Sequence, residues 1–199
     1  MYEVELKARA DHEQVRERLA ALDAAHVGAV TQADTYYNAP DRNFAVTDEA
    51  LRVRRETDHG DRDGGDGDET DRNGDAAGAE RVLLTYKGPL VDDSSKTREE
   101  AETRVTDGDA LRAILAGLGY DPVATVHKER DRYTVGRCRV TLDRVEGLGE
   151  FVEVEYHDAV AETDLDDARE AVAGLLADLE LDPDEGIRTS YLGLLLAER

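Results

Sequence analysis

At the start of the chain Tyr2, Val4, Leu6 and Ala8 alternate with Glu3, Glu5 and Lys7. In a strand, alternation at a period of two sends successive side chains to opposite faces. One face here is therefore apolar, and the other carries two carboxylates and an ammonium. A single charged strand face is ordinarily a solvated one. The device recurs, however, at Glu153-Val154-Glu155, and cationic versions lie between, at Leu51-Arg52-Val53-Arg54 and Lys128-Glu129-Arg130.

Taken in order, the pattern predicts mostly strands. Asp11 can cap a helix with Val15, Leu19 and Leu22 on one face. Gln32 to Asn38 reads as a strand through Tyr36-Tyr37, ended by the Pro40 turn. Arg81 to Lys87 is another strand, closed by Gly88-Pro89, and Thr97 to Val105 puts Arg98, Glu100 and Glu102 on one face. Asp107 or Asp109 can cap a helix carrying Leu111, Ile114, Leu115 and Leu118, stopped by Gly119. Val123 to Tyr133 and Arg137 to Val145 form a hairpin near Gly136, and Phe151 to Tyr156 is the last strand. A long amphipathic helix after Asp164 carries Val172, Leu175, Leu176 and Leu179 and ends before Pro183; a short one spans Tyr191 to Leu196. About eight strands and about four helices with hairpin connections, and no βαβ rhythm, predict an α+β fold, an eight-stranded antiparallel β-barrel or tunnel with flanking helices.

Residues 57–80 break the pattern. They are dominated by Asp and Gly, a composition that cannot bury enough apolar area to order itself, and read as an acidic flexible insert in a single domain spanning 1–199. Asp71 to Asp75 opens like a calcium loop, but Ala76 stands where such a loop needs glycine and Val82 where it needs the bidentate glutamate, so calcium binding is rejected there.

Charge sharpens the picture. With a net charge of −22 over 199 residues, broad binding to nucleic acid is excluded, because a phosphate backbone would be repelled. Such acidity resembles that of proteins from salt-accumulating halophilic archaea, where salt screens self-repulsion. No stretch is long and apolar enough for a membrane span, and the chain opens directly into a charged strand, so cytoplasm is the simplest location. The single cysteine, Cys138, excludes an internal disulfide and reads as a small core residue.

The polar strand faces hold Glu3, Glu5, Glu100, Glu102, Asp143, Glu153 and Glu155 against Lys7, Arg52, Arg54, Lys87, Arg98, Lys128 and Arg130. A dry interior lined this way would be untenable, since unpaired buried charge costs several kcal/mol per ion. A wet one receiving a polyanion and metal ions is tenable. Clustered carboxylates suit hard cations such as Mg²⁺ or Mn²⁺, and Arg and Lys suit phosphate oxygens. A triphosphate with its metal satisfies both sets, with the cations neutralising charge on the phosphates during in-line attack. His127 sits opposite the Lys128 and Arg130 face and carries no triad, so it reads as surface or core. Tyr36, Tyr37 and Tyr191 are open between contact to a base or ribose and ordinary packing.

The ordered series Glu3-x-Glu5-x-Lys7, Arg52-x-Arg54, Thr85-Tyr86-Lys87-Gly88-Pro89, Arg98-Glu99-Glu100-Ala101-Glu102, Lys128-x-Arg130, Asp143 and Glu153-x-Glu155 resembles the CYTH, or triphosphate tunnel metalloenzyme, superfamily. Asp34-Thr35-Tyr36-Tyr37 and Ser190-Tyr191-Leu192 make it most similar to the CyaB group of class IV adenylyl cyclases. The resemblance implies a carboxylate-held divalent metal (Glu3, Glu5, Glu100, Glu102, Asp143, Glu153, Glu155) and Lys and Arg contacts to the triphosphate. It implies conversion of ATP to cyclic AMP and pyrophosphate, with Lys87 and Asp143 as candidate catalytic groups. The alternatives are hydrolysis of thiamine triphosphate, inorganic triphosphate or nucleotides, and a non-catalytic polyphosphate-binding module. Lys87, metal-bound water and substrate phosphate all stay open as acceptor of the hydroxyl proton. A homodimer is the assembly to test for.

Overall fold

The computed structural model describes residues 4–60, 78–90, 98–157 and 164–198. Glu3, residues 61–77 of the acidic stretch (with most of the rejected calcium loop) and the side chain of Arg98 lie outside this description. The elements are β1 (Glu5–Arg9), α1 (His12–Ala21), β2 (Ala25–Asn38), α2 (Phe44–Thr47), β3 (Ala50–Asp58), β4 (Glu80–Leu90), β5 (Arg98–Val105), α3 (Gly108–Gly117), β6 (Asp121–Val135), β7 (Cys138–Val145), β8 (Gly149–Tyr156), α4 (Leu165–Asp178) and α5 (Tyr191–Ala197), with a 3-10 turn at Pro183–Glu185. The strands make an eight-stranded sheet in the order β1-β8-β7-β6-β2-β3-β4-β5. The expected antiparallel α+β architecture is present, and among the described residues the hydrogen-bond ladder has ends at β1 and β5. The described residues gather into two compact units: 4–30, 59–60, 128–157 and 164–198 form one, 31–58, 78–90 and 98–127 the other.

In the first unit, register fixes the faces. Leu6 pairs with Val154, Ala8 with Val152, Val140 with Val154 and Leu142 with Val152. These residues share a face that packs under α1 and α4 with Val15, Leu19, Val172, Leu175 and Leu176. Burying each such side chain contributes about 1.5–3 kcal/mol, so this face anchors the unit. Asp11 caps α1 as expected, its side chain accepting from the N–H groups of Glu13 and Gln14 at 2.9 and 3.1 Å. Cys138 is buried in this core, and burial pushes its thiol up.

In the second unit, Val53, Val82, Tyr37 and Leu115 form the core, with Leu51, Leu84, Val105, Leu111 and Tyr120 packed around them. Asp107, not Asp109, caps α3. A Cβ on Gly108 would stand 2.9 Å from Val82 Cγ2, closer than side-chain carbons approach, so glycine is what lets the first turn of α3 seat on β4. Gly119 ends the helix at φ +84°, a conformation glycine adopts without strain.

Several boundaries differ from the sequence pattern. β2 begins at Ala25, ahead of the Gln32 start, with Gly28 at φ +114° interrupting its first half. Thr57 and Asp58 continue β3 and Glu80 opens β4, so strand structure reaches into both ends of the 57–80 stretch. Among the described residues there are five α-helices, because α2 is a four-residue turn too short to show a helical period. No helix among the described residues is long and apolar enough to cross a membrane.

Candidate functional site

The faces opposite the two cores carry the charge. In the first unit, Glu5 is the register partner of Glu155, Lys7 of Glu153, Thr141 of Glu153 and Arg130 of Asp143. All therefore project from the side of the sheet away from α1 and α4. Asp143 is 0 % exposed. Arg130 holds it in a fork, Nε to Oδ1 at 2.6 Å and Nη2 to Oδ2 at 2.5 Å, and the same Nη2 lies 2.6 Å from Glu153 Oε2. Lys128 Nζ stands 3.8 Å from Asp143 Oδ2. Tyr191, the first residue of α5, donates its hydroxyl to Asp143 Oδ2 at 2.9 Å. Its ring meets Phe151 edge-on at 5.1 Å between centroids and lies 4.3 Å from Lys7 Nζ and 5.3 Å from Lys128 Nζ.

Electrostatics follows from burial and pairing. Burial works to raise the Asp143 carboxyl, but the charges of Arg130 and Lys128 and the hydrogen bonds from Arg130 and Tyr191 outweigh it, holding Asp143 below the usual carboxylate range. Burial, then Asp143 and Glu153, push the Tyr191 hydroxyl far up, so it stays a donor throughout the neutral range. Burial opposes the Arg130 charge, yet Asp143 and Glu153 raise its pKa further, so the fork is fully ionised.

The second unit repeats the motif with different residues. Asp34, 2 % exposed, is forked by Arg54, Nε to Oδ1 at 2.6 Å and Nη2 to Oδ2 at 2.8 Å. A second cation, Arg52, lies 3.7 Å from Asp34 Oδ2, matching the place of Lys128 beside Asp143. Arg52 Nη2 also reaches Thr85 Oγ1 at 3.1 Å and Glu102 Oε2 at 3.5 Å, while its buried Nε has no hydrogen-bond partner among the described residues. Thr85 donates to Glu102 at 2.7 Å, and Lys87 pairs with Glu100 at 2.9 Å. Burial and then Asp34 raise the Tyr36 hydroxyl, against the lowering effect of Arg52 and Arg54.

The expected metal ligands divide by what holds them. Among the described residues no three His, Cys, Asp or Glu side chains gather as a metal-holding group. Asp143 has both oxygens committed to Arg130 and Tyr191, Glu100 faces Lys87, and Glu102 accepts from Thr85 and Arg52. Glu153 Oε2 is held by Arg130 at 2.6 Å and Glu155 Oε2 lies 3.4 Å from Arg139 Nη1, so these two are cation-paired as well. Glu5 and Glu155 are register partners across β1 and β8, a placement that suits two carboxylates sharing one oxygen-liganded cation. A small cavity of ≈ 30 Å³ is lined by His12, Arg16, Arg130, Asp131 and Arg144 among others. Its cations are paired, Arg16 with Asp131 at 2.6 Å and Arg144 with Glu150 at 2.8 Å, and it holds room for little more than water.

Sequence reasoning missed Asp34 and Thr85 as partners and left Tyr191 open. The signal for Asp34 was a lone charge inside an otherwise uncharged strand, a position that needs a cation opposite. Tyr37 and His127 behave as structural residues: the first is in the core, the second exposed.

Residues 1–191 match the CYTH domain. The chain is 35 % identical over 196 residues, 98 % of each protein, to a Methanocaldococcus jannaschii protein provisionally named an adenylate cyclase. It is 30 % identical over 155 residues, 77 % of this chain and 68 % of the other, to adenylate cyclase CyaB of Aeromonas hydrophila. The solved structure of PH1819 from Pyrococcus horikoshii aligns over 100 % of both chains with a TM-score of 0.80 and 35 % identity. A match along nearly the whole chain makes this protein a member of the CYTH family.

Proposed function

We propose that the chain is a divalent-cation-dependent enzyme acting on a triphosphate, and that its reaction is conversion of ATP to cyclic AMP and pyrophosphate. The observation that carries this reading is the pair of buried Asp–Arg forks, each with a second cation beside it. Each fork holds its cations at fixed positions on its own unit's sheet face, which suits phosphate oxygens. The names of the relatives favour the cyclase among triphosphate reactions.

In that reaction the ribose 3′-hydroxyl attacks the α-phosphorus, the bond from that phosphorus to the bridging oxygen breaks, the hydroxyl proton is lost and pyrophosphate departs. In the first unit Lys7 and Lys128, and in the second Arg52 and Lys87, offer positive charge to phosphate oxygens. Arg130 and Arg54, locked by their aspartates, brace the faces on which those cations stand. Lys87 Nζ is engaged by Glu100 at 2.9 Å, an arrangement that fits stabilisation of the leaving pyrophosphate. Asp143, with both oxygens engaged, fits positioning. Mg²⁺ or Mn²⁺ held by Glu5 and Glu155 would supply charge neutralisation on the phosphates.

The test incubates the purified protein separately with ATP, thiamine triphosphate and inorganic triphosphate, with Mg²⁺ or Mn²⁺ at high salt. Cyclic AMP with equimolar pyrophosphate from ATP supports the cyclase. Orthophosphate without cyclic product replaces it with a triphosphatase, and tight binding without turnover replaces both with a polyphosphate-binding module.

A further inference from the structure

We infer that Tyr191 is a positioning residue that gathers Lys7 and Lys128 into one phosphate-binding clamp, which makes α5 part of the binding apparatus. This rests on the triphosphate reading above and deepens it.

Lys7 is on β1 and Lys128 on β6, strands separated in the sheet by β8 and β7, so register alone does not bring their ammonium groups together. Both nonetheless lie against one aromatic ring, 4.3 and 5.3 Å from its centroid, and both are buried, at 5 % and 7 % exposure. A tyrosine face attracts cations through its quadrupole, more strongly when they are desolvated. The ring is fixed at two further points: its hydroxyl donates to Asp143 at 2.9 Å and its edge packs on Phe151. Ser190 starts the helix in register, its hydroxyl accepting from the Gly193 N–H at 3.1 Å.

Two ammonium groups drawn to one ring repel each other. Asp143 offsets this for Lys128, 3.8 Å away, and Glu153 is the register partner of Lys7. A phosphate bearing more than one charge satisfies both cations at once, so the ring sets the spacing at which an anion is taken. The ring contributes no proton and touches no reacting atom; it acts through the lysines.

Isothermal titration of inorganic triphosphate into the full chain, with Mg²⁺ at high salt, tests this without requiring turnover. Tyr191→Phe keeps the ring but cuts its tether to Asp143, and should weaken triphosphate about threefold. Tyr191→Leu keeps apolar volume without a π face, and should weaken it at least about tenfold. If Tyr191→Leu does not fold, pentafluorophenylalanine at 191 keeps the ring's shape while removing its negative face, and should behave as Leu does. A purely packing role predicts lowered melting temperatures with the triphosphate Kd unmoved in every variant, and that result overturns the inference. Failure of the unsubstituted protein to bind triphosphate overturns instead the reading on which it rests.

Discussion

Asp143→Asn isolates the buried fork. The substitution keeps size and shape but removes the charge facing Arg130 and Lys128, and turns one oxygen into an N–H donor among donors. Asp143 is 0 % exposed and takes two hydrogen bonds from Arg130 and one from Tyr191. Removing one partner of a buried ion pair costs about 3–5 kcal/mol, because the other is left uncompensated. Here Glu153 still holds Arg130 at 2.6 Å, which places the loss near the lower end, about 3 kcal/mol. For a chain of this size that is a fall in Tm of about 6–12 °C.

Thermal and urea unfolding at constant high salt measure this loss, and pH gives a second signature. The folded Asp143 carboxyl is depressed from 3.8 to about 2. Its contribution is therefore present above pH 3.8 and is lost as pH falls through the folded value. The stability difference between the parent and Asp143→Asn should be flat from neutrality down to about pH 4 and close towards about pH 2. A neutral-pH difference under about 1 kcal/mol, the size of an exposed pair, would refute the buried fork. So would a gap that widens on acidification.

The facing carboxylates and the second fork give two more expectations. Glu5→Gln with Glu155→Gln should weaken Mg²⁺ or Mn²⁺ binding by calorimetry at least about tenfold, since ligating carboxylates are lost while size is kept; unchanged affinity in the folded double variant removes these residues from the metal site. Arg52→Ala should raise the KM for triphosphate about tenfold with little change in Tm. Arg54→Ala, which strips the two-point partner from buried Asp34, should instead cost about 3 kcal/mol of stability, so equal effects of the two on Tm would contradict the division between brace and ligand contact.

Faces were legible in the sequence because a period of two leaves little freedom. Once Val4, Leu6 and Ala8 go inward, Glu5 and Lys7 must go outward, and the register of β1 with β8 obeys that rule. Partners were not legible to the same degree. Asp143 looks like any other acid of the charged set, and only the pairing of β6 with β7 shows Arg130 to be its register partner. The approach of Tyr191 to Lys7 depends on where α4 and the following turn deliver α5, information that no local pattern holds. Gly28 interrupts the alternation that would announce the first half of β2, and the pattern becomes readable only from Gln32.

The antiparallel pairing of β1 with β8 has a consequence for how the chain comes into being. Arg9 Nη1 donates to the carbonyl of Leu148 at 2.7 Å, across a sequence separation of 139 residues. On a ribosome adding about 5–20 residues per second, β1 therefore waits about 7–30 s for its neighbour. During that interval Leu6 and Ala8 have no strand to lie beside, while residues 31–58 and 78–127, which hold the second unit's whole core, have already emerged. Vectorial synthesis thus favours assembly of the later-starting unit first. The first unit closes only once β8 and α5 have emerged, and the lysine at position 7 meets the tyrosine that contacts it no earlier than that.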